Sequence, residues 1–201
     1  MKKWFLVGAL LAGLSAGATT LLAMDVPGLA RGADAVVHGS VTRLDSHWTG
    51  DHLRIVTDIE LEVTEALKGS VPKRLTVVQP GGVVGDIGQT VSGLASFKLG
   101  EEVVVFLERR AGDSFLVSGM AQGKFRVERS SDGKAAFAVP DSVGDALLLD
   151  PQTHQPVSSP KLAPRPPTLE ELKVQIKAAI KAPAGAFVEP AGRTPTLKQG
   201  P

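Results

Sequence analysis

The chain has 201 residues and no cysteine, with 22 Lys and Arg against 21 Asp and Glu and a formal charge of +1. Disulfide stapling is therefore excluded, and the near-neutral balance is not that of a nucleic-acid binder. The length fits one domain, and no segment beyond the N-terminal stretch is apolar enough to cross a membrane.

The first element is a leader. Met1-Lys2-Lys3 supplies two positive charges, Trp4 to Leu14 an apolar run, and Ala16-Gly17-Ala18 a small-x-small end. That layout predicts a secretory signal over 1–18, cut after Ala18. A cut as late as Ala23 places Leu21 where a small residue is preferred. The rival reading is an uncleaved anchor, since Trp4 to Ala23 is just long enough to span a bilayer. No Cys follows the apolar run, so a lipid-modified N-terminus is excluded. Export without disulfides suits a bacterial periplasm or exterior.

Residues 25–140 then read as strands. Ala35 to Leu44 is a strand with a bulge or bend expected at Gly39, and Thr49-Gly50-Asp51 closes a hairpin onto its partner. In the partner, "LRIVTDIELEV" from Leu53 to Val63, Leu53, Ile55, Thr57, Ile59, Leu61 and Val63 share one face. Arg54, Asp58, Glu60 and Glu62 share the other, which is the mark of one buried and one wet face. A strand of that length favours a curled sheet or barrel. Further strands are expected at 74–79, 102–108, 114–117, 124–128 and 135–139. Val103 to Leu107 is continuously apolar and predicts a strand covered on both faces. About seven short strands with no helical period before the tail predict a mainly β fold, a small barrel or sandwich.

Eleven of the 14 prolines lie at or after residue 140, so 141–167 reads as a proline-rich linker. Thr168 then caps a helix over 168–181, with Glu170 and Glu171 in its first turn and an apolar stripe of Leu169, Leu172, Ile176 and Ile180 that docks on the barrel. The tail over 182–201 is expected to be disordered. Charge divides unevenly: residues 25–150 carry 13 Lys and Arg against 18 Asp and Glu, and residues 151–201 carry 7 against 3.

The conspicuous chemistry is soon exhausted. "QPGGVVGDIGQTVSG", residues 79–93, holds five glycines, but it lacks the Lys-Ser/Thr of a phosphate loop and runs on toward a strand, so no helix N-terminus faces an anion. It reads as a β-to-β connection whose glycines allow positive φ. His47 and His52 flank the hairpin tip near Asp45 and Asp51, with no third convergent ligand for a metal. Ser70-Val71-Pro72-Lys73 spells Ser-x-x-Lys without its supporting motifs and sits in a turn. Asp58, Glu60 and Glu62 are the wet face of a strand. Trp48, beside a loop, offers a stacking face. No catalytic, cofactor-binding or metal residue is assigned, and no cofactor is expected.

The segments "GSVTRLDSHW", "IVTDIELEVTEALKG", "LTVVQPGG", "FKLGEEVVVFL" and "AQGKFRV", with the helix start at Thr168 to Leu172, resemble a group of exported bacterial β-domain proteins of unassigned activity. The likeness covers roughly residues 33–130 and that helix. It implies export and an oligonucleotide/oligosaccharide-binding-like (OB-like) barrel, with a more distant similarity to netrin-like and metalloproteinase-inhibitor domains. Those inhibitors reach their metal through an N-terminal cysteine, which this chain lacks. The expectation is a secreted or periplasmic, non-enzymatic binding or interaction module of the bacterial cell envelope, meeting an envelope protein or glycan and no nucleic acid. Its contact surface is expected at Trp48, Pro80, Gly81, Gly82, Gln122 and Lys124. Two alternatives stay open: a protease-inhibitor-like or accessory subunit acting through the glycine-rich loop, and a cell-surface glycan-binding protein.

Overall fold

A computed structural model describes residues 19–157 and 165–182. The expected leader over 1–18, residues 158–164 of the expected linker and the expected tail from 183 onward lie outside the described residues. In chain order the elements are β1 (Thr20–Leu22), α1 (Val26–Gly32), β2 (Ala35–Trp48), β3 (Ile55–Lys68), β4 (Arg74–Pro80), β5 (Gly82–Val84), β6 (Ile87–Gln89), β7 (Glu102–Arg109), β8 (Ser114–Val117), β9 (Lys124–Arg129), β10 (Ala136–Pro140), β11 (Leu147–Leu149) and α2 (Leu169–Lys181).

The main sheet runs β10-β9-β7-β2-β3-β4-β8, and pairing of β7 with β8 closes β2, β3, β4, β8 and β7 into a five-stranded barrel. The contact of β4 with β8 is parallel and only two residues long, Thr76 with Ser114 and Val77 with Phe115. The other barrel pairings are antiparallel. This is a small β-barrel with a C-terminal helix, one of the two forms, barrel or sandwich, that the alternation and the run of short strands predict. One edge of β7 is shared: Val103 to Val105 pair with β9, and Leu107 to Arg109 with β8. β9 and β10 therefore splay off the barrel as an outer flap.

Two cores follow from this branching. Inside the barrel pack Val37, Val41, Ile59, Leu61, Val77, Val105, Leu107 and Phe115. Outside it, α1 and α2 cover the sheet over Val36, Val104, Phe106 and Phe125. Val103 to Leu107 are all fully buried, because alternate residues feed the two cores. Burying each such side chain stabilises by roughly 1.5–3 kcal/mol, so β7 is the stem of the molecule.

β2 and β3 are each 14 residues long, longer than the alternation suggested, and extra residues at Thr42 of β2 and at Thr64 and Leu67 of β3 shift their register and bend them around the barrel. One shift falls between His38 and Gly39, opposite Thr64, and an added Cβ at Gly39 would sit 2.3 Å from the Glu62 carbonyl oxygen. The turn between them spans 49–54, and it corrects the start of β3: Leu53 is 76% exposed and belongs to the turn. The turn closes through Thr49, whose amide donates to the Arg54 carbonyl at 2.8 Å and whose hydroxyl donates to Asp51 at 2.5 Å.

Two parts depart from the sequence reading. No helix was expected before the tail, yet Asp25 caps α1 by accepting from the Gly28 amide at 2.7 Å, with Pro27 in its first turn. Lys68 closes its other end, donating to the carbonyls of Ala30, Arg31 and Ala33 at 2.6–2.9 Å, as a cation does where carbonyls lack helical partners. The 141–167 stretch, read as linker, carries β11, which pairs parallel with β1 and buries Leu148. At its end Thr168 and Glu171 form a reciprocal capping box for α2.

Candidate functional site

The inner face of the barrel changes chemistry along its length. β2 runs from Val41 to Leu44 and Ser46, β3 from Leu61 and Ile59 back to Thr57, and β4 from Leu75 and Val77 to Gln79. Where this face turns polar the barrel ends, and the 80–97 connection folds over the opening. Between them lies an open cleft of about 400 Å³ at the barrel mouth, a common place for binding sites.

The glycine-rich stretch is the outer wall. β5 and β6 form a hairpin whose two-residue turn, Gly85-Asp86, begins with a glycine at φ 61°, the glycine-first pattern of tight hairpins. Gly82, at φ 136°, lies flat on β2 and β3; an added Cβ would stand 2.4 Å from Thr57 Oγ1 and 2.5 Å from Ser46 Oγ. The Thr57 hydroxyl donates to the Gly81 carbonyl at 2.7 Å, so in the 2.8 Å Ser46–Thr57 contact the proton comes from Ser46. The Ile55 amide donates to Gln89 Oε1 at 2.8 Å, and Gln79 Nε2 to the Ala95 carbonyl at 2.7 Å. Each glutamine thus spends one end of its amide on the fold, and Gln79 Oε1 and Gln89 Nε2 carry no hydrogen bond among the described residues.

No residue lining the cleft has an ionisable side chain. Leu44, Val83 and Val91 line it while exposing 38%, 67% and 37% of their surface. The site is therefore apolar and amide-rich, with hydrogen-bonding capacity and no charge. It can recognise shape and neutral polarity.

The inner wall, residues 94–97, is held from behind. Lys124 is only 1% exposed; its Nζ meets the Ser96 carbonyl, Glu101 at 3.0 Å and Asp141 at 3.5 Å, and stands 4.9 Å from the centre of the Phe97 ring. Asp141 also accepts from the Ser96 amide at 2.8 Å. One buried cation with two carboxylates fastens this wall to β9 and to the chain after β10.

The residues expected to form a contact surface separate into two groups. Pro80, Gly81 and Gly82 line the cleft. Trp48 is half-buried at the end of β2, opposite Ile55, outside the cleft lining. Lys124 is buried behind the inner wall, and Gln122, half-buried, holds the 22–24 segment. Gln122 accepts from the Met24 amide at 2.8 Å and donates to the Leu22 carbonyl at 3.0 Å, so its amide is used at both ends. Sequence reasoning missed Ser46, Gln79, Gln89 and the 94–97 wall. The available signal was polar Thr57 and Gln79 on faces that are otherwise apolar.

Several charged groups elsewhere are paired. Under α2, His38 Nε2 meets Glu102 Oε1 at 2.8 Å, and Arg129 bonds both Glu102 oxygens at 2.7 and 3.0 Å. Burial works to raise the Glu102 carboxyl, and the hydrogen bonds from His38 and Arg129 outweigh it, so it titrates below the ordinary range. His47 bonds Asp58 at 3.2 Å on the wet face, and the Trp48 carbonyl and then Asp58 raise its pKa. His52 lies in the turn at φ 57°. Among the described residues there is no group of three or more His, Asp or Glu that could hold a metal ion, and no helix long and apolar enough to cross a membrane.

The fold and its mouth define a small β-barrel with an uncharged cleft under a glycine-rich hairpin. No protein-family model matches the chain, and no curated protein or solved structure does.

Proposed function

We propose that this is an exported, non-enzymatic binding module of the bacterial cell envelope, and that its cleft takes an uncharged, partly apolar segment of an envelope protein. The observation that carries the proposal is the cleft itself. Its walls offer apolar surface, an unused amide acceptor on Gln79 and an unused amide donor on Gln89, and a peptide unit supplies the matching donor and acceptor. Acid–base chemistry calls for a titratable group beside the substrate, and the lining supplies none. The reading also agrees with the resemblance to exported β-domain proteins.

A second reading has one observation in its favour. The β5–β6 hairpin exposes Val83 and Ile87, at 67% and 54%, and such a tip suits an accessory or inhibitory subunit that inserts a loop into its partner. A glycan-binding reading draws less support, since Trp48 lies outside the cleft and Phe97 is the aromatic residue in its lining.

Gly88 provides the test. It lines the cleft, has no positive φ, and an added Cβ would meet only Val83 Cγ2 at 3.8 Å. Gly88→Leu should fill the mouth and change stability by no more than about 0.5 kcal/mol. Tagged protein recovered from the envelope of its host after crosslinking should bring one stoichiometric protein. The variant should recover about tenfold less of it, the scale of one central interface contact. Equal recovery would remove the cleft from the interface. Retention on isolated cell-wall polysaccharide, with no protein partner, would move the reading to glycan binding.

A further inference from the structure

We propose that the chain is cut between Ala18 and Thr19, and that Thr19 to Met24 then serves as a strap built into the barrel. The inference rests on the exported reading and adds to it the bond that is cut and the fate of the new N-terminus. Ala16-Gly17-Ala18 fits the small-x-small pattern and Leu21-Leu22-Ala23 departs from it at Leu21, and the residues between the two bonds are the ones the structure puts to use.

β1 pairs with β11 in parallel register, Thr20 with Leu147, Leu21 with Leu148 and Leu22 with Leu149. The pairing is framed by two further bonds: the Leu147 amide donates to the Thr19 carbonyl at 2.8 Å, and the Ala23 amide to the Leu149 carbonyl at 2.7 Å. Gln122 then grips the strap from the side, accepting from the Met24 amide at 2.8 Å and donating to the Leu22 carbonyl at 3.0 Å. Leu21 reaches Gly93, where an added Cβ would stand 3.3 Å from Leu21 Cδ1.

A cut after Ala23 would discard all of this. β11 would lose its only strand partner among the described residues, Leu148, now 5% exposed, would lose Leu21 as its register partner, and the Gln122 amide would keep one protein partner fewer. Buried backbone groups without partners are costly, so a chain starting at Met24 would begin with a defect. A cut after Ala18 leaves every one of these contacts in place. In the reaction, water adds across the Ala18–Thr19 peptide bond, supplied by a leader peptidase acting in trans. The Ala18 carboxylate leaves with the leader, and Thr19 keeps the amine.

The test uses the full chain, produced in an exporting bacterium and recovered from the periplasm or medium. Intact mass and N-terminal sequencing should give a chain beginning at Thr19. A chain beginning at Met24 would overturn the proposal while leaving export intact, and one still beginning at Met1 would overturn both. Hydrogen exchange on the same sample should show the Ala23 and Leu147 amides protected. Exchange at the rate of free chain would show that 19–24 is no strap, wherever the cut falls.

Discussion

Two glycine-containing stretches flank the 94–97 wall, and they behave in opposite ways. Gln122-Gly123-Lys124-Phe125, on the inner side, is spent on the fold: a clamp, a close approach, a buried ion cluster and a core ring. Pro80-Gly81-Gly82, on the outer side, borders an open cleft. Both catch the eye in the sequence, because a glycine beside a polar residue looks equally special in either setting. A distinctive residue pattern records a tight constraint on the backbone, and that constraint arises from packing as readily as from binding. The contrast extends to charge. The inner side is held by ion pairs, and the mouth has none.

The largest expected effect tests the inner side. Lys124→Met removes the cation from two carboxylates whose side chains are 14% and 7% exposed. Breaking a buried pair from one side typically costs about 3–5 kcal/mol, since the partners stay charged and unmatched. Urea unfolding should show that loss. A loss below about 1 kcal/mol, the range of exposed pairs, would mean that the cluster is hydrated and the contrast between the two sides false.

A smaller effect is expected at the outer wall. Gly82→Ala forces a side chain into positive φ and against Ser46 and Thr57, which should cost roughly 1–3 kcal/mol. Gly85→Ala, also at positive φ but with open space around it, should cost about 1 kcal/mol. The difference between the two, read by thermal melting, isolates the contact with β2 and β3 from the backbone term. Equal losses would show that the hairpin does not lean on the strands.

What could be read from the sequence follows the same division. Strand alternation is a strong periodic signal, so β2, β3 and the doubly covered β7 are all legible, as is the Thr168 cap of α2, though not the reciprocal bond from Glu171 that completes its capping box. α1 has seven residues, too few to show a period, and its closure by Lys68 depends on a residue 36 positions beyond the end of the helix. β1 and β11 are three residues each and pair across more than 120 residues, so neither strand announces the other. The cleft was only half visible. Pro80 to Gly82 stood out, but the polar end of the inner face emerges only when β2, β3 and β4 are laid in register. Gln122 and Lys124 show the converse, since donors that look free in a sequence are free only if nothing folds onto them.

The smallest expected effect is a pH dependence, and it bears on the charge contrast most directly. Glu65 on β3 meets Lys177 and Lys173 of α2, each at 2.9 Å. Lys177 first, and then Lys173, hold its carboxyl below the usual range against the opposing effect of burial. A carboxylate depressed in the folded state binds fewer protons than the unfolded chain, so stability rises with pH across that window. Its contribution is complete above the ordinary glutamate pKa of about 4.3 and is lost as pH falls through the folded value. The pair is partly exposed, which screens it, and the slope should be shallow. Glu65→Gln should flatten the fall in melting temperature between neutral and acidic pH, with little change at the acidic end. Because nothing in the cleft lining titrates, partner binding at the mouth should stay constant over the range in which the fold remains intact. A binding curve that tracks Glu65 would show that the mouth and the helix-covered side act as one unit.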